Sequence, residues 1–237
     1  MPDPASSPLV RHAPATVHGR YLVRPPAPQP GATAKAAAPW LIGFHGQAQS
    51  AAVMLEPFVQ AAPSDHWLVA SVQALHPFPV RSTGATGFNW MTREDRELHI
   101  ATNIEYVNAV CDQLVTEFGA PSLIVFAGFS QGVAMAYRAA LAGSRPAAGI
   151  IAGCGDVPPE FRDAPDATRQ PWPRVLAATG AADDWHTPAR LADDVALLAQ
   201  HAPHVESRVC AGGHEWGAEL IAHARAFLAA TEQAARA

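Results

Sequence analysis

Short runs of apolar residues alternate along the chain with longer stretches in which apolar positions recur at helical spacing. Each short run has the length and composition of a buried β-strand, and each longer stretch has the period of an amphipathic helix. This alternation is typical of βαβ units, so it predicts an α/β fold with a mostly parallel central sheet and helices on both faces. The predicted strands cover 21–23, 40–44, 67–72, 123–127, 148–152, 175–179 and 204–209.

The most regular helical pattern follows Met91, and one of its faces stays apolar as far as Phe118. Thr92 and Asp95 form a capping-box pattern at its start, and Gly119 is expected to end it. Three more helices are predicted: one just after Ser130, one with Thr187 as N-cap and Pro188 at its first position, and one from about Ala218.

The length of the chain bounds the number of domains. It has 237 residues, of which 49% are hydrophobic and 16% are charged. These values fit one globular domain, so we expect 1–237 to form a single α/β domain. The N-terminal segment is rich in Pro and Ala, and so is the stretch 24–39, which we interpret as a surface loop.

The charged residues and the cysteines exclude several classes of function. The formal net charge is -5, the wrong sign for neutralising phosphates, so we expect no nucleic-acid partner. Lys35 is the only lysine, which leaves no candidate for a Schiff-base or phosphate-loop lysine. Cys111, Cys154 and Cys210 are odd in number and widely separated, which argues against a disulfide framework or a zinc knuckle.

Targeting signals are not evident in the sequence. The first residues, MPDPASSPLV, have neither the basic nor the apolar region of a secretory signal, and no run approaches the length that spans a bilayer. We therefore expect a cytoplasmic protein without a transmembrane segment. The sequence carries no indication of oligomeric state.

The segment GFSQG at 128–132 matches the pattern G-x-S-x-G. A buried strand is predicted before it and an Ala-rich helix after it, which is the strand-turn-helix context of a nucleophile elbow. At such a tight turn, side chains at Gly128 and Gly132 would collide with neighbouring backbone, while Ser130 is held with its hydroxyl exposed. Ser130 is therefore the predicted nucleophile.

A serine nucleophile needs a base and an acid that orients the base. His214 lies in GGHEW, just after the last predicted strand, where an open α/β sheet places its chemistry. Asp183 and Asp184 follow the strand 175–179, and Asp183 is preferred because a turn points only one of two successive side chains inward. Asp184 and the more distant Asp156 remain alternatives. The order Ser130, Asp183, His214 is that of the nucleophile-elbow hydrolases.

An oxyanion hole in such an enzyme takes one N–H from the residue after the serine and one from the loop after an earlier strand. The residue after the serine is Gln131, and the loop after strand 40–44 reads His45, Gly46, Gln47. Gln131 and Gln47 are thus the predicted backbone donors. His45 is expected to brace the loop, because no Asp or Glu follows it at metal-ligand spacing.

Four segments together resemble the phospholipase/carboxylesterase branch of the α/β-hydrolases, which includes the acyl-protein thioesterases. They are GFSQG, LIGFHG, GAADDWHTP and GGHEW, and the resemblance extends from about Trp40 to the end of the chain. It implies an α/β-hydrolase fold, with Asp183 as the acid and the amides of Gln47 and Gln131 in the oxyanion hole.

The chain also departs from the thioesterase members of that branch. It has Gln47-Ala48-Gln49 where they carry a longer glycine-rich segment, and His186-Thr187-Pro188 where they carry a valine-proline pair. In these features it looks closer to the bacterial predicted esterases of the same branch.

The predicted function is a serine hydrolase that cleaves small-molecule carboxylic esters of small to medium acyl chains through an acyl-enzyme, without a metal or organic cofactor. The alternatives are an acyl thioesterase or lysophospholipase, and a non-catalytic ligand-binding relative. About twenty residues connect the strands 148–152 and 175–179, too few for a large cap domain, so the site should be open. The predicted substrate-binding residues, which could instead only cover the core, are Phe88, Trp90, Met91, Trp185 and Trp216.

Overall fold

Nine strands are present in the computed structural model, which describes residues 9–28 and 37–236. All seven predicted strands form, and no end differs from its predicted position by more than two residues. The remaining two were not predicted. The strands are β1 (Tyr21–Arg24), β2 (Trp40–Phe44), β3 (Leu68–Val72), β4 (His76–Pro79), β5 (Thr86–Asn89), β6 (Ile124–Phe129), β7 (Gly149–Gly153), β8 (Arg174–Gly180) and β9 (Val205–Cys210).

Seven of the strands form one sheet in the order β1-β3-β2-β6-β7-β8-β9. Strand β1 is antiparallel to β3, and all other neighbours in this sheet are parallel. From β2 the sheet extends through β3 to one edge and through β6 to the other. The carboxyl ends of β2 and β6 thus meet where the strand order changes direction, which is the usual binding position in open α/β sheets.

The two strands that were not predicted, β4 and β5, form a separate antiparallel hairpin. Pro77 and Pro79 lie in β4. Proline cannot donate to a strand ladder, so the local pattern does not indicate a strand there. The hairpin leads the chain from the sheet into the segment that carries Met91.

Helices cover both faces of the sheet. The helix α1 and the short helix α4 were not predicted, and Pro57 inside α1 interrupts the helical pattern that would have revealed it. The six helices of the described residues are α1 (Ala51–Ala61), α2 (Arg96–Phe118), α3 (Gln131–Ala142), α4 (Pro159–Asp163), α5 (Pro188–His201) and α6 (Ala218–Arg236).

The start of α2 differs from the predicted capping box. Asp95 precedes the helix with φ of 48°, in the left-handed region, and its side chain makes no capping hydrogen bond. Thr92 instead donates its hydroxyl to the carbonyl oxygen of Glu94. The capping-box prediction was therefore wrong, because the helix begins at Arg96, with Asp95 and not Thr92 at the N-cap position. By contrast, Thr187 caps α5 as predicted, accepting a hydrogen bond from the N–H of Arg190.

The core consists of two layers, one on each face of the sheet. All five residues of β2 are buried; Trp40, Ile42 and Phe44 face the layer that holds α2, α3 and α5, whereas Leu41 faces the layer that holds α1 and α6. Helices on both faces were predicted, and the prediction is confirmed.

The connection between β7 and β8 contains only loop segments and the five-residue helix α4. No large cap domain is therefore inserted there, as the sequence predicted. Part of the loop predicted at 24–39 lies outside the described residues. None of the described helices is long and apolar enough to cross a membrane.

Candidate active site

Ser130 occupies the sharp turn between β6 and α3. Its φ of 53° and ψ of -122° place a non-glycine residue in a strained region of backbone conformation. The turn is held because the N–H of Ser130 donates to the carbonyl oxygen of Gly153, at 2.8 Å, on the neighbouring strand β7. The strain is thus balanced by the surrounding sheet, and the hydroxyl points out at the carboxyl edge.

Glycine is required around this turn because backbone approaches it closely. A Cβ on Gly128 would lie 2.3 Å from the carbonyl oxygen of Gly132, and a Cβ on Gly132 would lie 2.2 Å from that of Phe44. Both contacts are with backbone, which cannot move aside as a flexible side chain can. These distances explain both glycines of the pattern G-x-S-x-G.

We expect Gly132→Ala to lower kcat/KM by about 100-fold, because the added methyl group pushes the first turn of α3 away from the end of β2. The matched control is Gly217→Ala, where the nearest atom to a new Cβ is 3.6 Å away, an ordinary contact. Its kcat/KM should stay within about twofold of wild type. Equal activity of the two variants would show that the close packing of this turn is not needed.

His214 lies in the loop between β9 and α6 and bridges Ser130 and Asp183. Its Nε2 is 2.8 Å from Oγ of Ser130, and its Nδ1 is 2.8 Å from Oδ2 of Asp183. An ionised carboxylate only accepts hydrogen bonds, so Nδ1 carries the proton and Nε2 is free to accept the one from the serine hydroxyl. The imidazole also packs against Phe129, with 5.2 Å between ring centroids.

Asp183 is the carboxylate that the fold directs toward His214. Its side chain is buried, and Oδ1 accepts hydrogen bonds from the N–H groups of Trp185 and His186 at 2.8 and 2.9 Å. Burial alone would raise the pKa of Asp183, but the bonds from the His186 N–H, the His214 ring and the Trp185 N–H lower it overall. Asp183 is therefore held in the ionised form that orients an imidazole.

The other two carboxylates considered from the sequence do not pair with His214 in the described part of the chain. Asp184 is exposed to solvent. Asp156 forms a two-bond ion pair with Arg190, at 2.9 and 2.6 Å. Among the described residues, only Asp183 of the three candidates hydrogen-bonds to His214.

A buried polar network behind Asp183 was not predicted. Nε2 of His186 lies 3.1 Å from Oδ2 of Asp194 on α5, and Oδ1 of Asp194 accepts from the N–H of Val157 and from the guanidinium of Arg162. The network ties the loop that carries Asp183 to α5 and to the segment before α4. The sequence could have indicated this network in one way: Asp194 is an acidic residue on the same inward face of α5 as Leu191 and Leu198.

The loop after β2 lies directly against the first turn of α3. A Cβ on Gly132 would be 2.7 Å from the carbonyl oxygen of His45, so the loop two residues before Gln47 lies against the first turn of α3, which begins at Gln131. The side-chain oxygen of Gln131 accepts a hydrogen bond from the N–H of Trp90, at 2.9 Å, which fixes the position of the residue that follows Ser130.

His45 braces this loop, as the sequence predicted. Its Nε2 accepts a hydrogen bond from the N–H of Ala74 at 3.0 Å, and its Nδ1 is 2.7 Å from the carbonyl oxygen of Gly46. A backbone N–H can only donate, so Nδ1 carries the ring proton. Burial lowers the pKa of His45, which favours this neutral form.

A cavity of about 340 Å³ opens beside Ser130 and His214. Met91 and Trp185, two of the five predicted substrate-binding residues, line it. Trp185 is 75% exposed, so its indole forms an apolar rim.

The other three predicted substrate-binding residues are not among the residues that line this cavity. Trp90 is fully buried, and its indole N–H donates to the carbonyl oxygen of His45. Trp216 is buried against Phe58, with ring centroids 5.2 Å apart, and Phe88 packs against His45. The structure thus places these three aromatic rings in or against the core, the alternative left open by the sequence.

Within the part of the chain that the structure describes, two groups of side chains have the composition of a metal site. In each, the donor atoms lie within 4.8 Å of one another: Cys154, Asp183 and His214 in one, and Asp156, His186 and Asp194 in the other. A cysteine ligand must lose its proton. Burial raises the pKa of the Cys154 thiol to about 12, so the first group suits a hydrogen-bond network better than a cation.

The structure is that of an α/β-hydrolase. It has a mostly parallel sheet, a strained serine turn and, among the described residues, no large cap. A family model described as Phospholipase/Carboxylesterase matches residues 32–230. The chain therefore belongs to the phospholipase/carboxylesterase family of hydrolases. No match was found among curated proteins.

Three solved structures show the same fold at low sequence identity. Arabidopsis thaliana SOBER1 is 18% identical, with a TM-score of 0.68 over 82% of this chain and 99% of its own. A Mesorhizobium loti carboxylesterase is 20% identical, with a TM-score of 0.65 over 80% and 88%. A Bacillus cereus carboxylesterase is 17% identical, with a TM-score of 0.66 over 90% and 94%.

Proposed function

We propose that the protein is a serine carboxylesterase that hydrolyses esters of small to medium acyl chains through an acyl-enzyme. The observation that carries this proposal is the hydrogen-bonded chain from Ser130 through His214 to Asp183, with both distances at 2.8 Å. A serine hydroxyl is a weak nucleophile on its own, and this arrangement supplies the base that activates it.

In the acylation step, Oγ of Ser130 attacks the ester carbonyl while Nε2 of His214 takes the hydroxyl proton. Asp183 stabilises the imidazolium that forms and keeps the ring in position. His214 then gives the proton to the leaving alcohol, and the acyl group remains on Ser130. Water, activated by the same imidazole, releases the acid in a second cycle.

The negative charge of the tetrahedral intermediate falls on the former carbonyl oxygen. The N–H groups of Gln47 and Gln131 are the proposed donors to that oxygen, and the amino end of α3 adds a favourable dipole there. Each such donor is worth about 100- to 1000-fold in kcat. The close approach of the β2 loop to the start of α3 supports this assignment.

The cavity is consistent with small-molecule esters. Its volume of about 340 Å³ is at the small end of ligand sites, and Met91, Val157 and Trp185 give it apolar surface.

A panel of substrates tests this function. Purified protein should hydrolyse p-nitrophenyl esters of two to eight acyl carbons faster than matched acyl thioesters, and should not cleave a peptide p-nitroanilide. Faster cleavage of the thioesters would reassign the protein as a thioesterase. No cleavage of any substrate by folded protein would favour a non-catalytic relative.

A further inference from the structure

Arginine dominates the charged side chains on the wall of the cavity beside Ser130. Arg96, Arg138 and Arg190 line it, against a single carboxylate, Asp156. This is unexpected in a chain whose net charge is -5. Clustered guanidinium groups near a reaction centre are typical of sites that bind carboxylates or phosphates.

Arg138 is the most deeply placed of the three. It lies on α3 eight residues after Ser130, and Ala134 lies between them on the same helical face. Eight residues of helix rise about 12 Å, and arginine side chains on a helix lean back toward its amino end. Its guanidinium can therefore meet a substrate that extends from Ser130 along α3.

The hydrogen bonds of Arg138 leave part of its guanidinium unused. The side chain is 2% exposed, and Nε donates to Oε1 of Glu160 at 2.7 Å. Nη1 is buried and has no hydrogen-bond partner among the described residues. A buried charged donor without an acceptor is unfavourable. Arg138 is one of the residues that line the cavity, so an anion bound there that reaches its guanidinium would supply the missing acceptor.

The neighbouring carboxylates only partly balance the arginines. Glu160 is shared, since it also accepts from Arg96 at 3.0 Å, and Asp156 is paired with Arg190. Glu97 pairs with Arg96 too, but its side chain is 81% exposed and its charge is screened by solvent. On the cavity wall itself three arginines accompany one carboxylate, Asp156, because Glu160 and Glu97 are not among the lining residues.

We propose that the esters which this protein hydrolyses best carry a second, anionic group, a carboxylate or a phosphate, that Arg138 binds within about 12 Å of Ser130. Arg96 and Arg190 flank that position and strengthen its preference for an anion. This inference rests on the proposed esterase function, because it names the substrate class of the same site. It makes Arg138 the residue that determines specificity.

Matched ester pairs test the inference. Mono-p-nitrophenyl glutarate, adipate and suberate are compared with p-nitrophenyl pentanoate, hexanoate and octanoate, so that each pair differs only in the terminal carboxylate. Wild-type kcat/KM should be at least about 10-fold higher for the best anionic ester than for its neutral match. In Arg138→Gln this ratio should fall about 10- to 100-fold, mainly through a higher KM.

Two further variants keep the test decisive. Arg145 pairs with Asp112 and does not line the cavity, so Arg145→Gln should leave the ratio unchanged. If Arg138→Gln does not fold, Arg96→Gln, at a partly exposed position, should still lower the ratio severalfold. An unchanged ratio in a folded Arg138→Gln would overturn the inference, and so would an unchanged ratio in Arg96→Gln if Arg138→Gln does not fold.

Inhibition separates the two kinds of anion. Glutarate and glycerol 3-phosphate are tested as competitive inhibitors of p-nitrophenyl butyrate hydrolysis, with uncharged glutaramide as control. Stronger inhibition by either anion than by glutaramide supports the inference and identifies the group. If the neutral esters are cleaved but anionic esters and anions have no advantage, the inference fails and the esterase function stands. Cleavage of neither ester class would instead defeat the esterase function.

Discussion

Replacing Ser130 with alanine should lower kcat/KM for p-nitrophenyl butyrate by about 10⁵-fold or more, because the hydroxyl that His214 activates, and on which the acyl-enzyme forms, is removed. The loss should appear in kcat rather than in KM, since the substrate contacts of the cavity remain. Steady-state kinetics on purified wild-type and variant protein provides the measurement.

The fold should tolerate this change. The turn is held by the backbone N–H of Ser130, which donates to Gly153 and is still present in alanine. The substitution removes only the hydrogen bond between Oγ of Ser130 and His214. The melting temperature of Ser130→Ala should therefore stay close to that of wild type. A folded variant that keeps a tenth of the activity would contradict the assignment of Ser130 as nucleophile.

The second large effect is expected at the acid. Asp183→Asn should lower kcat about 10⁴-fold, because a neutral amide neither stabilises the imidazolium nor holds His214 in the correct tautomer. The amide oxygen can still accept from the N–H groups of Trp185 and His186, so the loop should keep its shape. Kinetics with the same ester measures the loss.

The neighbouring carboxylate provides the matched control. Asp184 is exposed and carries the same charge one residue away. Asp184→Asn should change kcat by no more than about threefold. Losses of equal size in the two variants would show that the acid has been assigned wrongly.

The elements around the site could be predicted because their signals are local. One contiguous segment contains the strand before Ser130, the two glycines that flank the serine and the helix that follows. Thr187 and Pro188, which start α5, are likewise adjacent in the sequence. The carboxyl ends of the strands then placed Asp183 and His214 at the same edge as Ser130. Because parallel strands end at the same edge of the sheet, residues that follow different strands could be predicted to form one site.

Features that depend on several distant segments could not be predicted in the same way. Asp194 gains its role only because α5, the loop before it and the segment at Val157 meet inside the protein. Arg138 looks like a surface residue of an Ala-rich helix until α4 packs Glu160 against it. Nothing in the local sequence of either residue identifies its partner.

The aromatic residues show a related limit. Trp216 follows His214 by two residues in the sequence, yet burial decides its position, because a large apolar ring gains more from the core than from a solvated rim. Trp185, beside Asp183, is the exception and remains exposed. Sequence proximity to a catalytic candidate therefore does not by itself place a side chain in the cavity.

Covalent labelling with a fluorophosphonate is the sharpest test of whether Ser130 is an activated nucleophile, since such probes react with a serine only when a neighbouring base activates it. Intact-mass and peptide-mapping measurements should show one adduct per chain, located on Ser130. The adduct should be absent from Ser130→Ala and from His214→Ala. Failure of folded wild-type protein to react, or a stable adduct on another residue, would contradict the account.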